Sequence, residues 1–250
     1  MLWLFSLACT SPDMGTSPFE SGDTTEVLPW MPHSGGVVEL VASDGTVLVG
    51  DYYPASEEGR PSMLLYGDFY GSRVAVPHSF IESFTSKGWN VLVMDWRSFG
   101  DSGGDEYISD AAYLDMELAI GFLDYETHGP APAIFGGICF WALMHAYKAE
   151  TLDDRTQIAG FGMMPFTDNG ACNILNPDQM PNVPTLFVVN SLDDAEDPYV
   201  AAGRANWVFL TEFGALDGWA RLDDPSHEDS DALREAIFDF FVRVLDGELG

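Results

Sequence analysis

Ala133-Ile134-Phe135-Gly136-Gly137-Ile138 is an apolar, strand-like run that passes straight into Cys139-Phe140-Trp141-Ala142, the start of a helix-like stretch reaching Glu150. No loop separates the two. A side chain on so tight a strand-to-helix turn stands exposed above the end of its strand, and its neighbours two residues away are small because a larger group would clash. Gly137 meets that requirement upstream, while Trp141 occupies the downstream position. No serine occurs between Ser109 and Ser191, so a serine nucleophile on this turn is excluded and Cys139 is the candidate. A thiolate beside an imidazole forms near neutral pH. The competing reading is a cysteine packed as a small hydrophobe.

Strand and helix signals alternate on both sides of this stretch. Val37 to Val41, the Asp44-Gly45 turn and Val47 to Tyr53 read as a hairpin. Ser62 to Tyr66 and Asn90 to Asp95 read as buried strands, and Phe80, Ile81 and Phe84 form a helical face that stops at Gly88. Leu114, Leu118 and Phe122, four apart, predict a helix covering a sheet. Ile158 to Met163, Thr185 to Val189 and Trp219 to Leu222 are strand-like. A last helix carries the stripe Leu233, Ile237, Phe240, Phe241 and Val244, with Asp231 before it and Gly247 after it. The alternation predicts an α/β fold: a mostly parallel central sheet with helices on both faces, in one domain. Residues 164–184 leave no room for a lid domain between two of the strands. Chemistry in such a fold sits in the turns at the carboxyl ends of the strands.

Composition agrees with one folded domain of 250 residues, 46% hydrophobic and 13% aromatic. Ten basic residues against 40 acidic ones give a net charge of −30. A chain this acidic repels phosphate backbones, which excludes nucleic acid as a partner, and its surface stays soluble at high salt. The first basic residue is Arg60, and Lys87 and Lys148 are the two lysines. No apolar run reaches the ~18 residues of a membrane span. Three cysteines, Cys9, Cys139 and Cys172, are too few for a disulfide framework and lack zinc-site spacing. Neither a Gly-x-x-x-x-Gly-Lys phosphate loop nor a complete dinucleotide pattern is present; Gly160-Phe161-Gly162-Met163-Met164-Pro165 fails the latter at its last glycine. No cofactor and no metal are expected.

Leu2-Trp3-Leu4-Phe5-Ser6-Leu7-Ala8 is a short apolar stretch ending at Cys9, and Thr10 to Gly36 is rich in Ser, Thr, Pro, Gly and Asp. That order resembles a bacterial lipoprotein. The resemblance implies a signal in residues 1–9 with lipidation at Cys9, a flexible tether in 10–36 and a folded domain in 37–250. It implies an exported protein of the cell envelope whose contact with membrane is the lipid at Cys9 alone; a secreted form is the alternative.

Trp96-Arg97-Ser98-Phe99-Gly100-Asp101-Ser102-Gly103-Gly104, after its strand, resembles the Gly-x-Gly-x-Ser-Gly-type turn of the α/β-hydrolase superfamily, and the likeness extends over roughly Val37 to Leu249. A cysteine at the turn is similar to dienelactone hydrolases, whose Gly-x-Cys-x-Gly-Gly motif is matched at Gly137 and Cys139. The superfamily order of nucleophile, acid and histidine implies Asp194 as the acid, in Asn190-Ser191-Leu192-Asp193-Asp194-Ala195-Glu196-Asp197-Pro198, with Asp193 and Asp168 as other choices. Of five histidines, only His227 follows that acid. The resemblance implies Phe140 as one oxyanion donor, with the second from Asp68 or Phe69 in the turn after Ser62–Tyr66. A small acyl substrate is implied, cleaved through a Cys139-acyl intermediate. A Cys139–Cys172 disulfide in an oxidising compartment would abolish that nucleophile. Trp141, Ala142 and Ser191 depart from the superfamily pattern and support the alternative, a catalytically inactive binding or scaffold domain. Oligomeric state is open.

Overall fold

A computed structural model describes residues 35–67, 71–104, 109–137, 158–163, 183–188, 207–210, 219, 222 and 229–249. Among these residues the chain builds one eight-stranded sheet. The strands are β1 (Gly36–Val41), β2 (Val47–Tyr53), β3 (Ser62–Tyr66), β4 (Asn90–Met94), β5 (Ala133–Gly136), β6 (Gly160–Met163), β7 (Thr185–Val188) and β8 (Trp207–Leu210). Their order is β1-β2-β4-β3-β5-β6-β7-β8. β1 pairs antiparallel with β2, and β2 antiparallel with β4; every later neighbour is parallel. Three helices flank the sheet among the described residues: α1 (His78–Thr85), α2 (Ser109–Thr127) and α3 (Ser230–Leu245). None of them is long and apolar enough to cross a membrane.

The period-two geometry of a strand sorts the apolar residues into two cores. Leu64 and Tyr66 of β3, Leu92 and Met94 of β4, Ile134 of β5 and Phe187 of β7 form one core with Met116, Ala119, Ile120 and Leu123 of α2. Their neighbours Met63, Leu65, Val91, Val93, Ala133, Phe135, Leu186 and Val188 face α1 and α3. Both faces are therefore covered, which is why β3 and β4 are apolar at nearly every position. The second core is aromatic. Phe84 lies edge-on to Phe80 at 5.3 Å and to Trp89 at 5.4 Å, and Phe135 meets Trp219 at 5.7 Å. Gly160 and Gly162 of β6 point the same way. A Cβ on Gly162 would lie 2.5 Å from the Phe135 ring and 3.1 Å from Phe241, so the glycines let α3 approach the sheet.

Two sequence expectations are corrected. In α2 the line Leu114, Leu118, Phe122 is buried only towards its end: Phe122 has no exposure and Leu118 packs partly buried on the same core, but Leu114 is 40% exposed. The inward face also takes in Asp115, Met116, Ala119, Ile120 and Leu123, with the Asp115 carboxylate bonded to buried Arg97. Trp219 and Leu222 have 3-10 rather than strand backbone, and the last strand among the described residues is β8, paired parallel with β7.

Candidate active site

The carboxyl ends of the central strands are flush. Met94 of β4 is in register with Tyr66 of β3, Tyr66 with Gly136 of β5, and Gly136 with Met163 of β6. Met163 is in turn in register with Phe187 of β7, and Phe187 with Phe209 of β8. At ~4.8 Å between neighbouring strands, β3 lies one strand from β5, and β7 lies about 10 Å away on the other side. β3, β4, β5 and β7, which precede the turns carrying Asp68, Trp96, Cys139 and Asp194 in the sequence, all end at this one edge.

The β5 end is tightly built. Gly137 continues the ladder past the strand, its N–H donating to the Tyr66 carbonyl at 3.3 Å, and it is buried. Cys139 follows two residues later in the chain. It lies outside the described residues, as do Phe140, Asp68, Phe69, Asp194, His227, the alternatives Asp193 and Asp168, the disulfide candidate Cys172, and Cys9. The residues that border these positions are described. Gly67 ends the strand before Asp68. Leu222 is fully buried, and its carbonyl accepts from Ser79 Oγ of α1 at 3.3 Å and from Arg234 Nη1 of α3. Asp229, two residues past His227, occupies the N-cap position of α3.

The turn after β4 is held by charge. Asp95, whose side chain has no exposure, accepts from Ser72 Oγ at 2.9 Å, from the Arg73 backbone N–H at 2.6 Å, from the Asp101 N–H at 2.8 Å and from Arg73 Nη1. Arg73 reaches on to Asp51 at 3.0 Å and Asp101 at 2.9 Å. Burial works against the Arg73 charge, but the Asp101 hydrogen bond and the charges of Asp95 and Asp51 raise the guanidinium above its ordinary range. Arg97 makes a two-pronged contact with Asp115 of α2, at 2.8 and 2.7 Å, and bonds Asp44 and Thr46 of the β1–β2 turn. The Arg97 hydrogen bond holds the Asp44 carboxyl down at about 2. Burial raises the Asp115 carboxyl above its ordinary range, against the opposing pull of the two-pronged Arg97 contact.

Backbone conformation explains the glycines of this turn. Gly100 has φ +57°, and a Cβ there would lie 2.2 to 2.4 Å from the Asp95 carboxylate. Ser98 takes φ +68° with a side chain, its Oγ donating to the Gly104 carbonyl at 3.0 Å. Ser102 Oγ accepts from the Val49 N–H at 2.8 Å and donates to the Asp95 carbonyl at 3.3 Å, tying the turn to β2. Sequence reading recognised this motif but not its partners. Arg73 and Asp51 carry no local pattern that marks them as partners of Asp95, and Asp115 none that marks it as the partner of Arg97.

No protein-family model matches the sequence, and no curated protein matches it either. Solved structures do resemble the fold. The Pyrococcus furiosus esterase Pf2001 superposes with a TM-score of 0.65 at 15% identity, over 84% of this chain and 91% of that one. The α/β hydrolase GrgF from Penicillium sp. sh18 gives 0.61 at 14% identity, over 84% and 98%. The strand order, the flush carboxyl edge and these likenesses together show that the chain has the fold of the α/β hydrolases.

Proposed function

We propose that the protein hydrolyses carboxylic esters or related acyl compounds through a covalent intermediate on Cys139. The observation that carries the reading is the shared edge. β3, β5 and β7 end side by side at that edge, with buried Gly137 continuing β5, and the sequence places Cys139 two residues after Gly137, Asp194 six residues after the end of β7 and His227 three residues before α3. Esterase activity among proteins of the same fold supports it. In this mechanism His227 takes the Cys139 thiol proton, and the thiolate attacks the substrate carbonyl. Asp194 holds the imidazole tautomer and stabilises its cation. The backbone N–H of Phe140, with that of Asp68 or Phe69, donates to the oxyanion. His227 returns the proton to the leaving alcohol, and water then cleaves the acyl-enzyme. We assign Cys9 as a lipid anchor and residues 10–36 as a tether, which labelling of a Cys9→Ser variant with radioactive palmitate checks.

The test needs no knowledge of the substrate. The fully reduced protein is alkylated with iodoacetamide across pH, with peptide mass spectrometry to locate the label. A Cys139 thiol titrating well below ~8.5, and returning towards that value in His227→Ala, is the expected result. A thiol with the same ordinary profile in both proteins refutes the triad. It would leave the inactive binding domain, which the Trp141, Ala142 and Ser191 departures favour.

A further inference from the structure

β1 is the edge of the sheet among the described residues, pairing with β2 on its inner side and with no described strand on its outer side. Its pairing is regular: six consecutive partners run from Gly36 with Tyr52 to Val41 with Val47, without a bulge. β1 holds neither proline nor lysine. Bulges, prolines and lysines are the devices that commonly blunt a sheet edge. Alternation gives the two faces of β1 different characters. Val38 and Leu40 belong to the core shared with α2. Val37, Glu39 and Val41 turn to the other face and are exposed. Register places Val47 beside Val41, and Asp51 beside Val37, on that same face. Six large apolar side chains are exposed among the described residues, and three of them, Val37 (61%), Val41 and Val47, lie together here. The charge on this face is negative. Glu39 stands between the valines, and Asp51 is partly exposed. Arg73, which reaches Asp51, is buried and shared with Asp95 and Asp101. A groove of about 520 Å³ borders Val37 and runs between Asp51, Tyr53, Pro54 and Thr85 of α1.

We propose that the outer edge of β1 is a docking site for an extended, basic segment of a partner protein, which joins the sheet as an additional strand. The outward N–H and C=O groups of β1 supply ladder bonds, and the exposed face selects the side chains. Apolar residues of the partner lie against Val37 and Val41, and a lysine or arginine between them meets Glu39. The groove beside Val37 admits the stem of a second basic side chain, with its charge towards Asp51. A second copy of this chain is a poor occupant. It would bring Glu39 and Asp51 against the same carboxylates, on chains that each carry a net charge of −30. The site is independent of the proposed nucleophile, because none of these residues belongs to the triad.

Two labelled heptapeptides test the proposal by fluorescence anisotropy with the full-length protein. In Lys-Val-Thr-Lys-Thr-Val-Lys the valines and the central lysine share one face of a strand. Its isomer, Lys-Lys-Thr-Val-Val-Thr-Lys, has the same composition and charge but puts its valines on opposite faces. At about 0.15 M NaCl, where long-range attraction is screened, the parent is expected to bind the first peptide about tenfold more tightly than the isomer. Glu39→Lys and Val41→Thr are each expected to cut that preference to about threefold or less. Both changes fall on exposed side chains, and circular dichroism verifies that each variant is folded. Equal affinity for the two peptides overturns the proposal, since it means general attraction of cations to an acidic chain. A preference that survives Glu39→Lys overturns it, and so does a parent that binds neither peptide. Sedimentation velocity without peptide supplies the last arm. A monomer is expected, and a dimer that Val41→Thr dissociates overturns the proposal in favour of a second copy on β1.

Discussion

Replacing Arg73 by methionine removes the cation at the centre of a buried network while keeping most of the side-chain volume. The Asp101 contact is worth under ~1 kcal/mol, because that carboxylate is 72% exposed and screened. The Asp51 contact, on a carboxylate 30% exposed, adds about 1 kcal/mol. Asp95 decides the total. Its side chain has no exposure, and loss of one charge-assisted bond to it costs about 1.5–3 kcal/mol. It does not become a bare buried charge, since Ser72 Oγ and the N–H groups of Arg73 and Asp101 still donate to it. That keeps the sum near the lower end of the ~3–5 kcal/mol for breaking a buried pair. Arg73→Met is therefore expected to destabilise by about 3 kcal/mol, or ~6–12 °C in Tm for a chain of this size. Asp95→Asn provides the second corner of a double-mutant cycle. Each carboxylate oxygen accepts from two donors, so an amide NH2 faces donors whichever way it turns, and the clash eases when the Arg73 guanidinium is gone. Urea unfolding of the four proteins, at 0.1 and 1 M NaCl, reads the cycle. A coupling above ~1 kcal/mol that survives high salt is expected, because the pair is shielded from counterions. Arg73→Met within ~1 kcal/mol of the parent, or coupling lost at 1 M salt, would refute the reasoning.

Four further outcomes follow from the same geometry. Gly162→Ala places a methyl 2.5 Å from the Phe135 ring and 3.1 Å from Phe241, and is expected to cost about 1–3 kcal/mol by thermal melting, partly recovered with Phe135→Leu. In the turn after β4, Gly100→Ala combines a left-handed φ with a clash on the Asp95 carboxylate and should cost about 3 kcal/mol. Ser98→Gly relieves a left-handed side chain, loses one exposed hydrogen bond and should fall within ~0.5 kcal/mol of the parent in the same assay. Asp44 is held at about 2 in the folded protein against 3.8 unfolded, so its contribution is full above about 3.8 and is lost as pH falls through 2. Half-exposed Asp44 is screened, so Asp44→Asn should cost under ~1 kcal/mol at pH 7 in urea titrations, with the difference from the parent vanishing as pH approaches 2.

The sheet was legible because its strands are simple. Ser62–Tyr66 and Asn90–Met94 are buried on both faces, so each is a short apolar run bounded by breakers, and the run itself marks the strand. The hairpin was legible because Asp44-Gly45 supplies the turn chemistry, with Gly45 at φ +85°. The inward face of α2 was legible at Phe122 but not at Leu114, because an apolar count ignores the buried Asp115 carboxylate beside it, whose partner, Arg97, lies 18 residues earlier. The last strand was missed for a different reason. Trp207–Leu210 and Trp219–Leu222 are alike in length and both begin on a tryptophan, and only pairing with β7 distinguishes them.

Local pattern by itself determined the fold class, the candidate nucleophile turn and the Trp96–Gly104 motif, since each is written in neighbouring residues whose spacing matches a strand, a helix or a tight turn. Tertiary structure alone decided the strand order, the flush carboxyl edge and the meeting of Arg73 with Asp51, Asp95 and Asp101. Those depend on which strands pair and in what register, and hydrogen bonding between strands far apart in the chain leaves no periodic trace in the residues that make it.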